Sequence, residues 1–233
     1  MIKKKLCVVT SCRADYDLLK RLIKSLLRSK KIDLTLIITG QHLSKHYGNT
    51  YKNILKDFKG ISKKIDINVG KSDQKNLLNS VSLGIKKIGN YLNSLKPNTL
   101  ILLGDRYEIL SAGIAAFFNQ IPITHIHGGE KTQGSYDDII RHSITKLSDF
   151  HFVSHNTYKK RVIQLGENPR NIFNVGSLGA ENITKLTFLN KKMLEKKLNL
   201  KFEKKILLIT INSFLEENIS INNLLKNLFN VLK

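Results

Sequence analysis

Short apolar runs alternate with amphipathic stretches along the chain, in the repeating order strand, helix, strand, helix. Lys5–Thr10 (KLCVVT) reads as a buried strand, followed by a polar turn over Ser11–Asp15. In Tyr16–Ser29 the residues Leu18, Leu19, Leu22, Ile23, Leu26 and Leu27 recur at helical spacing, which predicts a helix with one apolar face. Leu34–Thr39 is a second strand, Gln41–Gly48 a polar loop, Tyr51–Phe58 a short helix and Ile65–Val69 a weak third strand. Lys75–Leu95 is a longer amphipathic helix. Thr99–Leu103 (TLILL) is apolar throughout, as a central parallel strand covered on both faces must be. A small-residue helix over Tyr107–Asn119 leads to a strand at Pro122–His125. A helix at Asp137–Lys146, a strand at Phe150–Ser154, a helix at Thr157–Leu165 and a strand at Ile172–Val175 complete the series. Such alternation predicts an α/β fold built on a doubly wound parallel sheet with right-handed crossovers.

The pattern changes after residue 182. Asn182–Lys204 is rich in Lys, Asn and Leu, lacks Gly and Pro, and predicts a helical connection. Lys205–Thr210 (KILLIT) reads as a new strand and Ile219–Leu232 as a new amphipathic helix. One strand–helix unit cannot cover its own apolar face, so this segment reads as the beginning of a truncated second domain. The expected division is a first domain over residues 1–182, a connection over 183–204 and the start of a second domain over 205–233.

Composition narrows the class. At 233 residues and 41% apolar content the chain can bury a sizeable core. No run of eighteen or more apolar residues is present, so no membrane span is expected. The Met1–Lys5 start resembles the basic end of an export signal, but the apolar stretch Leu6–Val9 is too short and reads instead as the first strand. Cys7 and Cys12 form neither a disulfide framework nor a metal motif, which fits a reduced, cytoplasmic chain. The net charge of +21 raises nucleic-acid binding as a reading, with strongly salt-dependent affinity as its signature. The excess is mainly Lys, spread along the chain and accompanied by abundant Asn and Ile, so a solvated surface is expected and nucleic acid is not. A basic surface still draws in an anionic diphosphate.

Open parallel sheets bind ligands beyond the carboxyl ends of their strands, and four such ends carry ionisable residues. At Thr10–Tyr16, backbone N–H groups and Arg13 could meet a phosphate, or Arg13 could be a surface residue beside an ordinary helix cap. At Gly104-Asp105-Arg106, Asp105 suits catalysis and suits a helix cap equally well. At His125-Ile126-His127-Gly128-Gly129-Glu130, the Gly pair permits close backbone approach, and His127 and Glu130 are candidate site residues. This block is a weak zinc signal, and no metal is expected. At Asp137-Asp138-Ile139-Ile140-Arg141-His142, Asp137 and Arg141 are four apart on one helix face and can pair. Together Arg13, Asp105, His127, Glu130, Asp137 and Arg141 fall on one edge of one sheet, and acids held in different environments there suit removal and return of a proton.

The blocks TSCRADYDLL, TGQHLSKHYGNTY, LGDRYEIL, IPITHIHGGEKTQGSYDDIIRHSITKLSDFHFVS and RVIQLGENPRNIFNVGSLG resemble, in order, the hydrolysing UDP-N-acetylglucosamine 2-epimerases of nonulosonic (sialic-type) acid synthesis. They span residues 5 to 182. The resemblance implies a Rossmann-like sheet forming the N-terminal half of a GT-B-like fold, with UDP bound by the second domain. It implies loss of the proton at sugar carbon 2 as UDP leaves carbon 1, then addition of water to the glycal and release of N-acetylmannosamine or a related 2-epimerised amino sugar. Close relatives use UDP-N,N'-diacetylbacillosamine. No nicotinamide or metal is implied, and relatives of this type are often homodimers. By motif, Asp105, Glu130 and Asp137 would be the acid/base carboxylates, Arg141 would steady an acid or the substrate, Arg13 would meet the diphosphate and His127 would lie near the sugar. Two departures stand out. Asp138 replaces the Glu that precedes the family's Arg-His pair, and Thr210-Ile211-Asn212-Ser213 stands where the family has Thr-aromatic-His-Pro. All seven histidines lie at or before His155. A shortened, non-catalytic relative, inactive without a second domain, is therefore the other reading carried forward.

Overall fold

The computed structural model describes residues 3–70, 74–133, 135–203, 205–210 and 221–232. Seven strands form one parallel sheet: β1 (Lys4–Thr10), β2 (Ile32–Ile38), β3 (Ser62–Lys64), β4 (Thr99–Leu103), β5 (Ile123–Ile126), β6 (Phe150–Val153) and β7 (Ile172–Asn174). Their order across the sheet is β3-β2-β1-β4-β5-β6-β7. The order reverses between β1 and β4, so connections leave toward opposite faces there and open a crevice above the strand ends.

The alternation along β1 explains the three layers. Cys7 and Val9 enter one core with Ile37, Leu100, Leu102 and Ile123, against α3 (Gln74–Leu95), α4 (Tyr107–Phe118) and α5 (Tyr136–Lys146). Val8 points the other way, with Leu36, Ile38, Ile101 and Leu103, against α1 (Arg13–Arg28) and α2 (Tyr51–Phe58). On α4 the small residues Ser111, Ala112, Ala115 and Ala116 are buried, and they let α3 approach closely at Gly84. Beyond β6, α6 (Asn156–Gln164) buries Val162 against Val153 and Ile172. A further helix, α7 (Leu178–Thr184), packs on α1, where Asn182 donates to the carbonyl of Asp17. No described helix is long and apolar enough to cross a membrane.

Three segments differ from the pattern-based reading. The first helix starts at Arg13, three residues early, because Asp15 accepts hydrogen bonds from the Ser11 and Cys12 amides and closes the first turn. The third strand is Ser62–Lys64 rather than Ile65–Val69. Ile65 N donates to Ile38 O at the end of β2, and beyond it no described strand lies alongside to pair with. Residues 206–210 form no strand, and Ile206, Leu207, Leu208 and Ile209 are exposed. Among the described residues no strand pairs with this segment, and an apolar run without a ladder has nothing to hold it extended.

The chain divides into two compact units, Met1–Lys185 and Leu186–Lys233. The first contains the sheet and ends just after α7. The second contains α8 (Lys191–Leu198), capped where Asn190 accepts from Met193 N at 2.9 Å, and α9 (Ile221–Val231). The expected start of the last helix at residues 219 and 220 lies outside the described residues, as do Ile211, Asn212 and Ser213 of the altered second-domain motif.

Candidate active site

The carboxyl ends of β4 and β5, with the start of α5, bring four of the six candidate residues together. Asp105 follows β4 after Gly104, whose φ of +86° turns the chain off the strand. Arg141, on the second turn of α5 and only 7% exposed, donates through Nη2 to Asp105 Oδ2 and to Thr132 Oγ1 at 3.1 Å. Burial raises the Asp105 carboxyl above its ordinary range, with Arg141 opposing and the charge of Asp137 adding to the rise. The Nε and Nη1 atoms of Arg141 are buried and have no hydrogen-bond partner among the described residues.

His127 sits just past β5 with φ at +65°, a left-handed setting that a non-glycine residue adopts at some cost. Its backbone N–H is fixed to Phe152 O at 2.9 Å. Its Nδ1 lies 3.3 Å from Glu130 Oε1, and its buried Nε2 has no partner among the described residues. Burial pushes the imidazole below its usual range; Glu130 pulls the other way, and the charges of Arg141 and Asp105 also reach it. The Gly128–Gly129 pair does allow close approach, but to the protein itself. A Cβ on Gly129 would lie 2.6 Å from Tyr158 O, and one on Gly128 3.0 Å from His125 Nδ1.

The two histidines of the block have different environments. His125 is fully buried, with Nε2 2.8 Å from Gly104 O and Nδ1 3.2 Å from Thr145 Oγ1. Desolvation lowers its pKa to about 3, so it is a neutral strut between β4 and α5.

Two expectations are corrected. Asp137 is exposed and makes no ion pair with Arg141 among the described residues. The carboxylate on that helix with partners is Asp138, which accepts from Thr132 N at 2.9 Å and lies 3.9 Å from Arg141 Nη1 and 3.8 Å from His142 Nε2. Arg141 is buried and turned to Asp105 and Thr132 instead. The turn after β1 does not offer the Ser11 and Cys12 amides to an anion, because both donate to Asp15 Oδ2. Arg13 is exposed and lines a cavity of about 390 Å³ with Gln41, His46, Tyr47, Gly48 and Thr50. No hydrogen bond or ion pair links it to the Asp105–Arg141 or His127–Glu130 pairs among the described residues.

Several participants were not singled out from the sequence. Ser154 Oγ donates to Glu130 Oε1 at 2.6 Å. Arg106 forks onto the fully buried Glu108 at 3.0 and 2.9 Å, and Gly40 gives that carboxylate room, since a Cβ there would lie 3.1 Å from Glu108. Arg106 and Glu108 are two apart, a spacing that carries no helical signal.

A family model described as UDP-N-acetylglucosamine 2-epimerase matches residues 24–233. The chain belongs to this family. Over all 233 residues this family member is 43% identical to the GDP/UDP-N,N'-diacetylbacillosamine 2-epimerase (hydrolyzing) of Campylobacter jejuni, and covers 60% of that relative. It is 46% identical over 194 residues to the polysialic acid biosynthesis protein P7 of Escherichia coli, covering 83% of this chain and 50% of the relative. The chain thus spans about half to three-fifths of the length of these relatives. Among solved structures, the UDP-GlcNAc 2-epimerase from Neisseria meningitidis bound to UDP-GlcNAc superimposes with a TM-score of 0.66 at 22% identity, covering 84% of this chain and 54% of that one. The Methanocaldococcus jannaschii enzyme in complex with UDP-GlcNAc and UDP gives 0.69 at 21%, with coverage of 84% and 51%. The fold is therefore the Rossmann-like α/β domain of this GT-B-type family.

Proposed function

We propose that the protein is a hydrolysing epimerase of UDP-linked 2-acetamido sugars, and that Asp105, Glu130, Asp137 and Arg141 carry its proton transfers. The convergence of two carboxylates, a guanidinium and an imidazole held below its usual pKa range by burial, at the carboxyl ends of two neighbouring strands, supports this reading most directly. Asp105, raised by burial and steadied by Arg141, takes the proton from carbon 2 of the sugar. The C–H electron pair becomes the carbon 1–carbon 2 double bond, and the carbon 1–oxygen pair leaves on UDP. Glu130 and Asp137 serve the leaving group and the hydration that follows, in which water oxygen joins carbon 1 and a proton returns to carbon 2 from the opposite face. Arg13, on its cavity wall, meets the diphosphate, and His127 lies beside the sugar ring.

The relatives named above support UDP-N,N'-diacetylbacillosamine and UDP-N-acetylglucosamine as the sugars to test. In deuterated water the full-length protein is expected to release UDP from one of them and place deuterium at carbon 2 of the free sugar. Asp105→Asn is expected to slow UDP release by about 10²- to 10⁴-fold, the range of a lost general base. UDP release at the wild-type rate from that variant would remove Asp105 from the chemistry.

A further inference from the structure

Glu130 is held from the next strand as well as from its own loop. Ser154, immediately after β6, donates through Oγ to Glu130 Oε1 at 2.6 Å. His127 Nδ1 lies 3.3 Å from that same oxygen. No hydrogen bond or ion pair engages Oε2 among the described residues, and the side chain is 26% exposed. The last torsion of a glutamate is broad when free; the Ser154 hydrogen bond, with the His127 ring beside the same oxygen, narrows it.

The loop beneath this carboxylate is anchored to the same strand–helix unit. His127 N donates to Phe152 O at 2.9 Å, Arg161 Nη1 donates to Gly129 O, and the bare Cα of Gly129 lets the Tyr158 carbonyl approach. β6 and α6 therefore fix both the backbone of residues 127–130 and the orientation of the Glu130 head group.

We infer that Ser154 is a positioning residue for Glu130, and that it makes Oε2 the oxygen that exchanges a proton with the reacting sugar nucleotide. The hydroxyl bond is compatible with both forms of the acid. When Glu130 is ionised, Oε1 accepts from Ser154 as a carboxylate oxygen. When Oε2 carries the proton, Oε1 accepts as the carbonyl oxygen, so the proton comes and goes at Oε2 without breaking the support. The inference rests on the reading of Glu130 as an acid/base carboxylate.

The test is steady-state UDP release by the full-length protein from UDP-N,N'-diacetylbacillosamine and UDP-N-acetylglucosamine. Ser154→Ala is expected to lower kcat by about 10- to 100-fold through misorientation, with KM within about twofold of wild type. Ser154→Thr keeps the hydroxyl and is expected to recover most of that loss. In a Glu130→Gln background, adding Ser154→Ala is expected to cost little more, because the two groups act as a unit. Wild-type kcat in Ser154→Ala, equal impairment of the Ala and Thr variants, or fully multiplicative losses with Glu130→Gln would each overturn the positioning role alone. Full activity of Glu130→Gln would overturn the role of Glu130 and this inference with it. A wild-type protein that releases no UDP from either sugar would overturn the epimerase reading itself.

Discussion

Asp15 holds the turn after β1 by meeting four donors at once: the amides of Ser11 and Cys12 and the hydroxyls of Ser11 and Thr10. Burial alone would raise this carboxyl, but the His42 imidazole 3.9 Å away and the hydrogen bonds from Thr10 and Ser11 outweigh it and hold the group below its ordinary range. The stabilisation it brings is therefore fully present above the unfolded carboxylate pKa and fades as pH falls through the lower folded value. Asp15→Asn is expected to cost about 1–3 kcal/mol at neutral pH, measured by chemical denaturation, with the gap to wild type narrowing in strong acid. At this scale the grouping of Asp105, His127, Glu130 and Arg141 is legible in the sequence because strand ends concentrate ionisable residues, and the folded chain does bring the four together. Between the two readings of the turn after β1, anion donor or helix cap, the structure decides for the cap, because Asp15 takes the Ser11 and Cys12 amides. The Cys12-x-x-Asp15 spacing is that of a capping box and was the available clue. Ser154 and Asp138 gave no such clue, since their partners Glu130 and Thr132 meet them only in the folded chain.

Helices and strands with an uninterrupted periodic signal were legible nearly to the residue: β4 at Thr99–Leu103 and α2 at Tyr51–Phe58 match their apolar patterns end to end. Pattern alone failed where pairing decides. Ile65 and Ile67 are buried and alternate like a strand, yet β2 has already ended beside them. Residues 205–210 have strand composition, yet pair with no strand among the described residues. Helix packing gives a test at this scale. An Ala at Gly84 should favour the helix by about 0.8–1 kcal/mol on propensity. Its Cβ, however, would lie 2.8 Å from Ser111 Cβ on α4, and overpacking of that kind costs about 1–3 kcal/mol. The clash is expected to win, so Gly84→Ala lowers the thermal midpoint. Adding Ser111→Gly should recover part of the loss, which a thermal melt of both variants checks.

At the scale of the whole molecule, the sheet order and its two covered faces follow from local patterns plus right-handed crossovers, but the position of the reversal between β1 and β4 does not. Seven parallel strands send every β-to-α connection to one rim, which is why residues far apart in sequence meet there. A net charge of +21 draws anions in from a distance, a property of approach and not of bond-making. Under the epimerase reading, kcat/KM for the UDP-sugar is expected to fall as salt rises from about 0.05 to 0.5 M, with kcat nearly unchanged. A rate constant indifferent to salt would leave the lysines as solvated surface.

The same reversal divides the rim unequally. Arg13 and its cavity belong to the chain before Phe58, whereas Asp105, His127, Glu130, Arg141 and Ser154 all lie between Thr99 and Gln164. That second stretch is one uninterrupted run of alternating strands and helices, β4 through α6. In hereditary terms, under the epimerase reading, the proposed acid–base residues form a single cassette. One recombination at each end of it could transplant the proton chemistry whole, while the recipient kept its own recognition of the anionic group on the far side of the crevice.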